Sequence, residues 1–310
     1  MALASWMLAA DGPQLNEQSV VVAGHKMRCL MTGSGPNVVL LHGLLGAAES
    51  WYPCFSRLGE ISKIYAVDAL GIGRSERVPG IDASLCAQVD RLAQFMQGAG
   101  IGQADIVGTS HGGAVAMMLA SRHPHMVRSL VLHAPANPFS TMADPLVHFY
   151  CSPLGHWFAR RVPNLPEKLQ ELALGRMYGD ARLLQRRVLD RHLSSLRVPG
   201  TINHVLHILE HWFDDMRELE KALGNLQDVP IHLLWGTRDR AVSIESGRLL
   251  QKIFKNAEMS VLQGIGHMPY EESPIPFSEA INVFLSQLDR GATRKGPHLV
   301  RTTYPAQKSV

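Results

Sequence analysis

One junction constrains this chain more than any other. The run Ala104 to Val107, apolar but for Asp105, stops at Gly108-Thr109-Ser110-His111-Gly112 and passes at once into a helical pattern from Gly113 to Ser121. A strand that turns straight into a helix commits the chain to crossover connections, which parallel strands need and antiparallel ones do not. The rest of the first 135 residues keeps that rhythm: Val38 to Leu41 ends at His42-Gly43, Ile64 to Val67 at Asp68, and Leu130 to Leu132 just before Pro135. Such fully apolar runs predict strands buried on both faces. Ser19 to Ala23 and Lys26 to Met31 flank Gly24-His25, which predicts an antiparallel hairpin at the start of the sheet.

The rhythm breaks between 136 and 229, a stretch with helical patterns, several prolines and no convincing strand. Strands resume at Ile231 to Trp235 and Met259 to Leu262, with helices expected at about Ser243 to Phe254 and Pro276 to Leu288. The expected division is therefore 1–135 and 230–288 as two halves of one α/β core, 136–229 as an inserted helical cap, and 289–310 as a basic, disordered tail.

Charge adds little. The net +3 resolves into a tail with five Lys and Arg against Asp289, and a body from 1 to 288 that carries −1. A neutral body without interleaved aromatics in the tail argues against a nucleic-acid partner. Cys29, Cys54, Cys86 and Cys151 have no C-x-x-C spacing and are expected to be reduced thiols in a cytoplasmic protein. The apolar opening Ala2 to Ala10 has no Lys or Arg before it and is expected to form a short docking helix rather than a secretory leader. No apolar run reaches the length of about 20 residues that spans a bilayer, so a soluble protein without a membrane partner is expected.

Gly108 to Gly112 matches G-x-S-x-G, a weak signal in a chain with 27 Gly but a strong one between a strand and a helix. A nucleophile must stand clear of the sheet, and glycines on either side of Ser110 give it room. The same turn aims the N–H of His111 at the position of a developing oxyanion, and Leu44 in His42-Gly43-Leu44-Leu45-Gly46 supplies a second donor. Serine needs a base and an orienting acid. Asp239 follows the strand Ile231 to Trp235, and His267 follows Met259 to Leu262, both on the same sheet edge as Ser110 if the sheet is parallel.

These segments resemble the α/β-hydrolase superfamily, in its capped, serine-nucleophile, esterase-like branch, over roughly Val20 to Leu288. Besides the Ser110 turn, the resemblance is carried by His42-Gly43, by Asp68-Ala69-Leu70-Gly71-Ile72-Gly73-Arg74-Ser75, and by Gly266-His267-Met268-Pro269-Tyr270-Glu271-Glu272-Ser273-Pro274. It implies an eight-stranded, mostly parallel sheet with a helical cap inserted after the sixth strand. It also implies Ser110 as nucleophile, His267 as base, Asp239 as orienting acid, and no metal or organic cofactor.

Rival readings compete at several positions. His42 reads as a histidine that pins its loop rather than one that transfers protons, and Asp68 as a residue that fixes the turn carrying Gly71 and Gly73. Asp144 is the lesser rival to Asp239. His204, His207 and His211 share one helical face opposite Val205, Ile208, Leu209, Trp212 and Phe213, which reads as a polar or pocket-lining stripe before a zinc site. Phe149, Trp157, Phe158, Trp212 and Met268 are expected to line an apolar pocket for the substrate.

The expected activity is cleavage of a carboxylic ester, or a related acyl bond, of a small apolar substrate through an acyl-enzyme. Serine at the turn argues against the dehalogenase and epoxide-hydrolase branches, which carry Asp there. Carbon–carbon bond hydrolases of aromatic degradation are the alternative, although Met268 stands where those enzymes often place tryptophan. Cofactor-free perhydrolysis is a further alternative, and a non-catalytic ligand receptor is the reading from another class.

Overall fold

The computed structural model describes residues 15–141, 144–289 and 303–304. The expected docking helix at Ala2 to Ala10 and the expected disordered tail, apart from Asp289 and 303–304, lie outside the described residues. The sheet is built from β1 (Asn16–Val22), β2 (His25–Thr32), β3 (Asn37–Leu41), β4 (Lys63–Val67), β5 (Ala104–Thr109), β6 (Val127–His133), β7 (Ile231–Gly236), β8 (Ala257–Leu262) and β9 (Thr303–Tyr304). Their spatial order is β1-β2-β4-β3-β5-β6-β7-β8-β9. Pairing is antiparallel for β1 with β2 and for β2 with β4, and parallel from there to the far edge.

Eight strands answer to the sequence pattern, each within a few residues of its expected bounds. The ninth was not expected: Thr303 and Tyr304 pair with Val261 and Leu262 of β8 in a stretch without strand pattern. The first hairpin turn is shifted by one residue from the expected Gly24-His25. Val22 pairs with His25, so the turn is Ala23-Gly24, both at positive φ (50° and 84°), and His25 already belongs to β2. Two successive residues at positive φ give the turn a twist that suits a two-residue hairpin.

Alternation along the central strands feeds two cores. Val38 and Leu40 of β3 and Leu234 of β7 face one layer, where α1 (Tyr52–Leu58) contributes Phe55 and Leu58. Val39, Leu41 and Leu233 face the other, which contains Val89 and Leu92 of α2 (Leu85–Gly98) and Met117 of α3 (His111–Arg122). Period-two alternation with both faces apolar is what a parallel sheet sandwiched between helices requires.

Between β6 and β7 the chain passes through α4 (Pro138–Thr141), α5 (Pro145–Tyr150), α6 (Pro153–Ala159), α7 (Glu167–Gly175), α8 (Arg186–Leu196) and α9 (Thr201–Ala222). Side chains start several of them: the Asp144 carboxylate accepts the N–H of Leu146, and the Ser152 hydroxyl accepts that of Gly155. After β7 come α10 (Ile244–Ile253), α11 (Pro269–Glu272) and α12 (Pro274–Asp289), and α12 closes the first layer with Phe277 and Ile281. Among the described residues no helix is long and apolar enough to cross a membrane.

Candidate active site

Ser110 sits between the last residue of β5 and the first of α3, at φ 53° and ψ −122°. A non-glycine residue there is strained and persists only when its surroundings over-determine it. They do so here. The Ser110 N–H donates to the His133 carbonyl (3.0 Å), and the Ser110 carbonyl accepts the N–H groups of Gly113 (2.9 Å) and Ala136 (2.8 Å). The flanking glycines are sterically enforced: a Cβ on Gly108 would lie 2.4 Å from the Gly112 carbonyl oxygen, and one on Gly112 would lie 2.5 Å from the His42 carbonyl oxygen.

Asp239 and His267 follow β7 and β8, so both lie at the same sheet edge as Ser110. His267 Nδ1 stands 2.7 Å from Asp239 Oδ2, and the pair is almost wholly buried. Asp239 Oδ1 accepts the N–H groups of Ala241 (2.8 Å) and Val242 (3.0 Å). Burial alone pushes the Asp239 carboxyl up, but the imidazole of His267, its hydrogen bond, His133 and the Val242 N–H together hold it below the usual carboxylate range. The ring is thereby fixed with Nδ1 toward the acid and Nε2 on the opposite side.

His111, the first residue of α3, has no carbonyl within the helix for its own N–H. Its ring stacks on Trp212 of α9 with centroids 5.8 Å apart. Burial, with His42 and His204 nearby, lowers the His111 side chain to about 3, so the imidazole is neutral at pH 7. His42 uses both ring nitrogens: Nδ1 meets the Gly43 carbonyl (2.7 Å) and Nε2 accepts the Ala69 N–H (3.2 Å). It pins two loops together. Asp68 likewise accepts from Arg28 (2.8 Å), the Ala48 N–H (2.7 Å) and the Arg74 N–H (3.0 Å), and is committed to the turn rather than to His267.

A narrow cleft of about 40 Å³ lies beside the turn, lined by Leu44, Val67, Leu92, His111, Val115 and Ile208 among others. Phe149, Trp157, Phe158, Trp212 and Met268 are not among its lining residues, although Trp212 stacks on His111, which is. Trp157 is 52% exposed and carries the Arg161 guanidinium 3.5 Å above its ring, Phe158 packs on Phe149, and Met268 receives the Tyr270 hydroxyl on its sulfur. Composition located these aromatics in the helical segment, but their directions depend on how short helices pack. Of the histidine stripe, His204 is buried in the apolar face of α9, against Gly71, His207 is half-buried and His211 is exposed. Among the described residues no group of three His, Cys, Asp or Glu side chains could hold a metal ion. The four cysteines are free thiols, two buried and two half-buried.

Sequence reasoning missed His133. It is fully buried at the end of β6, with Nδ1 2.8 Å from Thr109 Oγ1 and its ring centroid 5.7 Å from that of His267. Burial, with His267 beside it, lowers it to about 3. A histidine closing the apolar run Leu130 to Leu132 was the available signal.

The family model for the alpha/beta hydrolase fold matches residues 36–274. The chain belongs to the α/β-hydrolase fold family. This α/β hydrolase is 24% identical over 294 residues to 2-hydroxymuconate semialdehyde hydrolase of Pseudomonas sp. (strain CF600), a match covering 91% of this chain and 98% of that protein. It is also 24% identical over 267 residues to monoacylglycerol lipase ABHD6 of Mus musculus, covering 85% of this chain and 79% of the lipase. In fold the α/β hydrolase is similar to the epoxide hydrolase CorEH without ligand, with a TM-score of 0.77 at 18% identity over 89% of this chain and 100% of that one.

Proposed function

We propose that this α/β hydrolase cleaves a carboxylic ester, or a related acyl bond, of a small apolar substrate through an acyl-enzyme. The observation that carries the reading is the buried His267–Asp239 pair at the sheet edge where Ser110 is held at φ 53°. His267 Nε2 takes the proton of the Ser110 hydroxyl as its oxygen attacks the carbonyl carbon, and Asp239 stabilises the imidazolium that forms. The N–H groups of Leu44 and His111 receive the oxyanion; a side-chain donor in that role is worth about 3 kcal/mol. The tetrahedral intermediate collapses, the leaving alcohol takes the proton back from His267, and water then hydrolyses the Ser110 ester by the same steps.

The cleft near Leu44 and Ile208 is apolar, which supports an apolar acyl group. In this reading 136–229 acts as a cap, no cofactor takes part, and the enzyme works in the cytoplasm without nucleic acid or membrane. Short-chain p-nitrophenyl esters test it. Turnover that Ser110→Ala abolishes, with phosphonate labelling of Ser110, is expected; no turnover and no labelling on any ester overturns it.

Carbon–carbon bond hydrolysis is the second reading, favoured by the match to nearly the full length of 2-hydroxymuconate semialdehyde hydrolase. Turnover of a 2-hydroxy-6-oxo-dienoate well above that of every ester would select it.

A further inference from the structure

We propose that Glu271 is a positioning residue for the Ser110–His267–Asp239 reaction, locking the loop that carries His267 onto the middle of the helical segment. The inference rests on the hydrolase reading given above.

The Glu271 side chain is 1% exposed and has three partners, all from one stretch of the segment: the Tyr178 hydroxyl, the Arg191 guanidinium and His192 Nε2, the last at 3.1 Å. Burial pushes the Glu271 carboxyl up, and the contacts with His192, Arg191 and Tyr178 outweigh it and hold the group ionised. Arg191 donates as well to the Glu49 carbonyl (3.3 Å), so α8 is tied in the same place to the chain that follows the Leu44 loop.

The neighbouring residues continue the seam. Glu272 accepts the N–H groups of Gly179 (2.8 Å) and Gly266 (3.0 Å). The N–H of His267 itself donates to the Met177 carbonyl at 2.7 Å. Gly179 and Gly266 lie so close that a Cβ on Gly266 would stand 2.4 Å from the Gly179 nitrogen. The main chain of His267 is therefore seated on Met177 to Gly179, while its side chain is aimed by Asp239. Both supports must be in register for Nε2 to reach the Ser110 hydroxyl. Glu271 is the buried charge that holds the first of them, because without it Arg191 and His192 have no reason to sit against the His267 loop.

The test compares wild type with Glu271→Gln, Arg191→Met and the double variant in the full chain, using exposed Glu245→Gln as control. Three quantities are read: kcat and KM on a p-nitrophenyl ester, the downfield proton resonance of the His267–Asp239 hydrogen bond, and the thermal midpoint. Each single variant is expected to lower kcat about 10- to 100-fold with KM little changed, and to shift or broaden the resonance. The double variant should be no worse than the worse single one, since both remove one shared contact. A lowered midpoint with kcat and resonance unchanged overturns the proposal. If Glu271→Gln does not fold, Arg191→Met and Tyr178→Phe carry the same readouts. Absence of ester turnover in wild type would defeat the ester reading alone, because the resonance and its response to Glu271→Gln are observed without substrate.

Discussion

His267 Nδ1 lies 2.7 Å from Asp239 Oδ2, while the other oxygen of that carboxylate is taken up by the Ala241 and Val242 N–H groups. The acid is thus fixed by its own loop before it fixes the imidazole. Asp239→Asn keeps an oxygen for those N–H groups but presents a neutral partner to the ring. A fall in kcat on the order of 10⁴-fold is expected, with the fold intact by circular dichroism. Asp144→Asn should leave turnover near wild type, since Asp144 caps α5 through the Leu146 N–H. Steady-state kinetics on the two variants separates the assignments.

Ser110 stores backbone strain at φ 53°, ψ −122°. Glycine relieves it and alanine does not. Ser110→Gly should therefore be more stable than Ser110→Ala by about 1 kcal/mol, the relief of strain exceeding the added freedom of the unfolded chain. Urea midpoints of the two inactive variants measure this, and equal midpoints would show an unstrained turn.

Arg28 is 2% exposed and serves three carboxylates, Asp68 at 2.8 Å and Glu49 and Glu17 at 2.9 Å. Arg28→Met leaves Asp68 buried without its cation and Glu49 with only Arg74 Nε, at 3.5 Å. The cost is expected to be about 3–5 kcal/mol, seen as a large drop in the denaturation midpoint.

Asp215 of α9 is buried and accepts the Leu85 N–H at the start of α2, with His211, Asp82 and Asp214 nearby. Burial raises its carboxyl from 3.8 to about 6. A raised acid favours the protonated form in the fold, so its contribution is fully present below the unfolded value and is lost as pH rises through 6. Asp215→Asn keeps an acceptor for Leu85 without the charge. It should stabilise by about 1–3 kcal/mol at pH 7.5 and by almost nothing at pH 4. Thermal melts at the two pH values test the sign.

The parallel core was legible because its strands are short, mainly apolar runs that give way to glycine or polar residues, and a strand such as Val38 to Leu41 has no other way to bury both faces. Ser110, Asp239 and His267 were legible because each stands just past such a run. Where Trp157 points was not legible, since α6 is a single short helix whose rotation is set by neighbours distant in sequence. Glu271 escaped for a related reason. Its partners lie about 80 to 90 residues away, and a glutamate on a short helix looks solvated until Arg191 and Tyr178 are folded against it.

The root of the helical segment has its own consequence. Ala134 donates to the Leu234 carbonyl (3.0 Å) and Ala136 to that of Ser110, while Leu130 donates to the Pro230 carbonyl (2.9 Å) where the chain returns. Departure and return are both riveted to neighbouring, paired strands, so the detour between them can change length at little entropic cost. Evolution or a designer could graft a foreign helical segment at this root and keep the Ser110 turn intact. The graft would still have to supply a carbonyl for the His267 N–H, or leave that loop without its seat.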